Sequence, residues 1–239
     1  MKVDQTIERC RELIAEPLGA IAERWKESHP GGRAVACFPV WSPAEVIHAG
    51  GMLPLGLLGA GATVELTHAD SRFQSFVCSI AKSSLELGFQ GLLKGVDGFV
   101  FSNICDVARN LSSIYKRNFP HFHVDYLHLA QNSTSAGVTD YMAEELRRLA
   151  RGFEEAFGVR VTDASLAKSV ELYNAIRARI RDLYAFRIAE PQKLSTVELY
   201  QILRAATQAP PEETLARLDD LAAELPAREG RPKDRIRVV

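Results

Sequence analysis

Four cysteines, Cys10, Cys37, Cys78 and Cys105, are the side chains best suited to metal or thiol chemistry. A chain of 239 residues buries roughly 70% of its unfolded surface, so it needs no disulfide framework. The thiols are therefore free, fillers of the core, or metal ligands. Cys105 follows the apolar run Asp97 to Ser102 (DGFVFS) and precedes Asp106, which places its sulfur at a strand-to-helix turn. In open α/β sheets that turn lies at the carboxyl edge, where ligands bind. Cys78, 27 positions earlier, opens the helical stretch CSIAKSSLELGF. A helix N-terminus beside each sulfur favours negative charge there. Two thiolates do not complete an iron–sulfur cluster, which takes four protein ligands, or three with one iron left open. Spacing alone thus leaves small apolar packing as the commoner use of such residues. Cys37, inside AVACF, and Cys10, on the first helix, read as fillers.

Glu45 and His48 stand three apart on a short helix after the first strand. They share a face near the sheet edge. Glu45 serves equally as the acid of a capping box with Ser42 or as a substrate contact. His121 and His123 alternate along the fourth strand, and without further ligands they read as solvated histidines. No P-loop, H-E-x-x-H, G-x-S-x-G or C-x-x-C occurs in the sequence. In Gly59-Ala60-Gly61 the third glycine of a dinucleotide fingerprint is replaced by Val64, which argues against that use.

The elements that must position these groups alternate. Ile7, Leu13, Ile14, Leu18, Ile21 and Trp25 form one amphipathic helical stripe ending before His29-Pro30-Gly31-Gly32. Apolar runs at Ala34 to Phe38, Leu53 to Leu58 and Asp97 to Ser102 predict three strands, and Phe122 to Leu127 reads as a fourth. Between them, Ser42 to Gly50 reads as a capped helix with Pro43 at its first position, Phe76 to Leu93 as a second and Asp106 to Tyr115 as a third. This alternation predicts an α/β fold, a parallel Rossmann-like sheet with flanking helices. From Thr139 the pattern is helical only: Thr139 to Phe157, Asp163 to Arg187, Ser195 to Thr207 and Pro211 to Leu225, a C-terminal helical extension. Arg235 to Val239 (RIRVV) looks like the opening of another strand. The expected organisation is an α/β domain over residues 1–138, a helical extension over 139–226, and a linker with the first strand of a second α/β domain over 227–239.

Charge is nearly balanced, with 29 Lys and Arg against 30 Asp and Glu. That speaks against nucleic acid or an anionic membrane as the main partner. The uncharged stretch Ala49 to Val64 carries Pro54 and five glycines and falls short of a membrane span. The N-terminal residues are charged throughout with no apolar segment or cleavage site, so a cytoplasmic location is expected.

Three pieces, in this order, carry a family likeness: PAEVIHAGGMLPLG from Pro43, CSIAKSSLELG from Cys78, and DGFVFSNICDVARNL from Asp97. Together with Trp25-Lys26-Glu27, Gln131-Asn132 and Glu190-Pro191 they make the chain resemble the 2-hydroxyacyl-CoA dehydratase and benzoyl-CoA reductase superfamily, most of all the C-type subunits of ATP-dependent benzoyl-CoA reductases. The resemblance implies a catalytic subunit of two α/β domains that holds a [4Fe-4S] cluster between them through three cysteines. Cys78 and Cys105 match the first two, and the third is expected outside this chain, in a second domain. It further implies a homologous sister subunit, an acyl-CoA substrate, and an ATP-hydrolysing iron–sulfur activator that supplies low-potential electrons, with ATP bound by the partner. The implied reaction is reduction of the ring of benzoyl-CoA to a cyclic dienoyl-CoA. Dehydration of a 2-hydroxyacyl-CoA and a non-catalytic interaction or maturation role are the alternatives. On this reading the 239 residues are part of a longer subunit and are not expected to be active alone.

Overall fold

Three of the four strands are runs of residues able to bury both faces, the fourth carries His123 and Asp125 and is only partly buried, and each forms where the pattern places it. In the computed structural model, which describes residues 2–231 apart from Val40 and Ala62, β1 is Ala34–Phe38, β2 Leu53–Gly56, β3 Gly98–Ser102 and β4 His123–Leu127. They make one parallel sheet in the order β2-β1-β3-β4. Pro54, which has no N–H to give a ladder, sits on edge strand β2. Every residue of β1 and β3 is buried.

The connections α3 (Ala44–Ala49), α4 (Thr67–Asp70), α5 (Ser79–Phe89) and α6 (Asp106–Asn118) complete the α/β pattern. Phe99 and Phe101 of β3 pack on Tyr115 of α6, with ring centroids 4.9 and 5.0 Å away. The Tyr115 hydroxyl donates to the Ser84 carbonyl of α5 at 2.6 Å, so α5 and α6 lie side by side on this face. Full burial pushes the Tyr115 phenol far above its ordinary pKa. The other face of the sheet, through Val35, Cys37 and Val100, packs on Val46 and Ile47 of α3 and on Leu149 and Phe153 of α7 (Val138–Phe157). Cys37 is a filler here, and burial drives its thiol up to about 12 against a weaker opposing hydrogen bond from Ser42.

The chain forms two compact units, Pro17–Ser169 and a second made of Met1–Glu16 with Val170–Val239. The first holds the sheet. The second is helical among its described residues: α1 (Lys2–Ala15), the later turns of α8 (Asp163–Ala189), α9 (Thr196–Ala206), α10 (Pro211–Glu224) and a 3-10 turn, Leu225–Ala227. Cys10 is wholly buried on α1, again a filler, and burial raises its pKa. Ser195 and Glu198 close a full capping box at the start of α9.

Several details differ from the sequence pattern. The first stripe is not one helix: α1 ends at Ala15 and α2 is Leu18–Ser28. Pro17 lies between them, and proline can neither donate to nor fit beside the preceding turn. Ser42 is not a cap, because Pro43 itself takes the N-cap position of α3 and Ser42 lies one residue too early. Helix α4 forms in a stretch with no helical signal of its own. His121 lies in a turn, and His123 is not a solvated histidine. Its ring packs between Phe153 and Phe157 at 6.0 and 5.2 Å, and its Nε2 is buried without a hydrogen bond. Burial lowers its pKa, opposed by Asp125. Residues 232–239, with the proposed RIRVV strand, lie outside the described residues. Among the described residues no helix is long and apolar enough to cross a membrane.

Candidate functional site

In a parallel sheet a helix that follows a strand runs back against it, so its N-terminus lies at the carboxyl edge. This rule applies to α5 after β2 and to α6 after β3, and each helix is capped by a cysteine. Cys78 is the N-cap of α5 and Cys105 the N-cap of α6, and both are exposed. Cys105 is extended, and its Sγ accepts the Ala108 N–H at 3.4 Å, the one capping bond a thiol can supply here. Its loop is pinned by Asn103, which donates to the Leu129 carbonyl at 2.8 Å and accepts from the Leu129 N–H at 2.7 Å.

Across the entrance to α5, the turn after β2 comes close to the helix. Gly59 has φ +73°, and a Cβ there would meet Ser83 Oγ at 2.6 Å. The Ala60 N–H donates to that same hydroxyl at 3.1 Å. The Gly59-Ala60-Gly61 turn thus serves packing on α5.

Glu45 lies in the first turn of α3, at the carboxyl edge, and His48 in the last turn. Both are half-buried. His48 Nδ1 is 2.9 Å from the buried Ser169 Oγ. That bond orients the imidazole and gives its ring a structural partner.

Two aromatic residues with no marked pattern in the sequence stand on loops leaving the same edge. Trp41 follows β1 and is 72% exposed; Phe76 precedes Cys78 and is 83% exposed. Trp41 has φ +52°, a region bulky residues rarely adopt. Their only signal is an aromatic in a loop near Pro or Cys, which is weak in a sequence.

A cleft of about 610 Å³ opens instead at the amino edge, lined by Arg33, Lys94, Asp97, His121, His123 and Phe157. Its carboxylate is already engaged. Asp97 accepts from Arg33 at 3.0 Å, from the Ala34 N–H at 2.8 Å and from Lys26 at 2.5 Å. It lies at the sheet end opposite the cysteines, so size alone does not mark the chemistry.

Thiolate sulfur is the donor iron–sulfur clusters use, and two exposed sulfurs at helix N-termini on one sheet edge fit part of such a site. Among the described residues no three His, Cys, Asp or Glu side chains gather as a metal site.

The family model for the 2-hydroxyglutaryl-CoA dehydratase D-component matches residues 39–239. Over all 239 residues the chain is 37% identical to the C-type benzoyl-CoA reductase subunit of Thauera aromatica and 28% identical to the beta subunit of lactoyl-CoA dehydratase of Anaerotignum propionicum, covering 62% of each relative. It is 27% identical over 231 residues to the beta subunit of (R)-2-hydroxyglutaryl-CoA dehydratase of Acidaminococcus fermentans, covering 59% of that protein. The chain therefore spans less than two thirds of the length of these curated relatives.

Proposed function

Because the chain belongs to the 2-hydroxyglutaryl-CoA dehydratase D-component family, we propose that it is part of a catalytic subunit of an ATP-dependent benzoyl-CoA reductase. The observation that carries this choice within the family is the identity, 37% over the whole chain to a benzoyl-CoA reductase subunit against 23 to 28% for the dehydratase subunits.

In this reading Cys78 and Cys105 hold a [4Fe-4S] cluster together with a third cysteine from a second α/β domain. The cluster, when bound, supplies one-electron transfer to the acyl-CoA. The chain's own residues hold and shield it. Both cysteines stand at helix N-termini, whose positive dipole ends offset the negative charge of thiolates and inorganic sulfide. Asn103 keeps the Cys105 loop against the β4 loop, and Glu45 and His48 face the acyl-CoA from α3. A homologous sister subunit shuts the site off from water, and an ATP-hydrolysing iron–sulfur partner delivers the electrons, in the cytoplasm. The balanced charge of the chain supports protein and acyl-CoA partners over nucleic acid or membrane.

The test is stoichiometry in the complete complex under strict anoxia with a low-potential donor. A ring reductase consumes electrons, and hence ATP, in fixed proportion to benzoyl-CoA. A dehydratase recycles its electron, so many 2-hydroxyacyl-CoA molecules turned over per ATP, with benzoyl-CoA untouched, would establish the dehydratase reading instead.

A further inference from the structure

Helix α5 carries charge on the face it buries. Lys82 is 7% exposed and Glu86 1%, one helical turn apart. A buried ammonium or carboxylate is costly unless it is paired, and both find their partners on the segment that leads to Cys78. Glu86 Oε2 accepts the N–H groups of His68 and Ala69 at 3.0 and 2.8 Å, and its Oε1 lies 2.8 Å from His68 Nδ1. These amides are the second and third of α4, whose own N-cap is Leu66, a residue with no side-chain acceptor. The cap of α4 is therefore supplied by another helix, from 17 and 18 residues further along the chain. One turn closer to Cys78, Lys82 Nζ donates to Asp70 Oδ1 at 2.7 Å and to the Ser75 carbonyl at 3.4 Å.

We propose that Lys82 and Glu86 are positioning residues for Cys78: from two successive turns of α5 they clamp residues 67–75 and so fix where the chain delivers the Cys78 sulfur. The inference rests on reading Cys78 as a cluster ligand. Residues 71–78 contain no regular element, and Phe76 within them is exposed, so packing of that side chain does not hold the segment in place. A ligand on a loop is only as well placed as the contacts behind it. Beside the burial of Val77 and the stacking of Arg72 on Phe89, the contacts behind it are two charges of opposite sign, each with a different partner, which fix the segment at two points.

The test uses the intact complex and the variants Glu86→Gln, Asp70→Asn and Lys82→Arg, with Cys78→Ala as reference. Asp70 is exposed, so Asp70→Asn removes the charge of the partner of Lys82 without changing any buried side chain, and it keeps the test readable should Glu86→Gln fold poorly. Amide exchange over 67–77 should quicken at least tenfold in Glu86→Gln and Asp70→Asn while exchange in α6 is unchanged. Release of iron to a chelator should quicken severalfold, and Lys82→Arg, which keeps the pair, should behave as wild type. A general loss of stability would instead raise exchange in α6 to the same extent. If Cys78→Ala loses its iron but Glu86→Gln and Asp70→Asn release it at the wild-type rate, the clamp is refuted. If Cys78→Ala keeps its iron, the ligand reading itself fails, whatever the exchange data show.

Discussion

Removing the charge of Glu198 tests how the helical unit is held together. Its side chain and that of Arg228 are each 5% exposed, and Arg228 Nη2 reaches Glu198 Oε1 at 2.8 Å and Asp4 Oδ1 at 2.6 Å. The group joins α9, α1 and the segment after the 3-10 turn. Burial alone would raise the Glu198 pKa, but hydrogen bonds from Arg228 and from the Ser195 amide and hydroxyl, with the Arg228 charge, outweigh it and bring the carboxyl from 4.5 down to about 2. A folded pKa below the unfolded one means stability that is present above the unfolded value and lost as pH falls toward the folded one. A shift of that size is worth about 3 kcal/mol at pH 7 and about 1 kcal/mol at pH 3. Glu198→Gln keeps the shape and deletes the charge, leaving Arg228 buried beside an amide. It should destabilise the unit by about 3 kcal/mol at neutral pH. The gap to wild type should narrow by about 2 kcal/mol between pH 7 and pH 3. Amide exchange of α1 and α9 reads this unit directly, avoiding the assumption that both units unfold together. A gap under about 0.5 kcal/mol at pH 7, the range of ordinary surface changes, or one that does not vary with pH, would refute the reasoning.

Cys78→Ala and Cys105→Ala should each strip most of the cluster iron from the complete complex, by iron assay and loss of visible absorbance, whereas Cys37→Ala should retain it. Tyr115→Phe deletes the bond to the Ser84 carbonyl and should cost about 1 kcal/mol, the net worth of one buried hydrogen bond, since that carbonyl keeps its place in the α5 ladder; chemical denaturation reads it. Gly59→Ala places a methyl against Ser83 at a φ of +73° and should lower the melting temperature of the α/β unit by several degrees, on the order of 1 to 2 kcal/mol.

Three strands are legible because each is a continuous apolar run between turn residues, a local signal; the fourth, with His123 and Asp125 inside it, is read from its place in the strand-to-helix alternation. What escapes is non-local. The stripe from Ile7 to Trp25 keeps its helical period through Pro17, so periodicity alone joins two helices that the proline separates. Helix α4 is invisible because four residues beginning after Leu66 carry no cap of their own; the cap, Glu86, is recognisable only once α5 is in place. Lys82 and Glu86 do leave a trace, as charges four apart in a helix with Ala81 and Leu85, since a charge on an apolar face needs a partner. His123 misleads for a similar reason: a histidine in a short strand is buried or solvated according to what covers it, and here Phe153 and Phe157 of α7 do.

Strand order contributes the step that sequence could not supply for the cysteines. Any strand-to-helix turn in a parallel sheet ends at the carboxyl edge, so Cys78 and Cys105 would share that edge in many topologies. Sharing one face is more demanding. The chain passes from β1 outward to β2, then crosses β1 to β3, and continues the same way to β4. Right-handed crossovers taken in one direction put α5 and α6 on the same face, and the first, taken the other way, puts α3 opposite, in accord with the packing of Tyr115 on Ser84 and of Ile47 beneath Val35 and Cys37. The reversal occurs between β1 and β3, and a reversal is where neighbouring loops part and leave room for a ligand. Cys105 follows β3 at that point and Trp41 follows β1. Had β3 been added outside β2, α5 and α6 would still carry N-terminal cysteines, but the loop after β1 would no longer face the loop of Cys105.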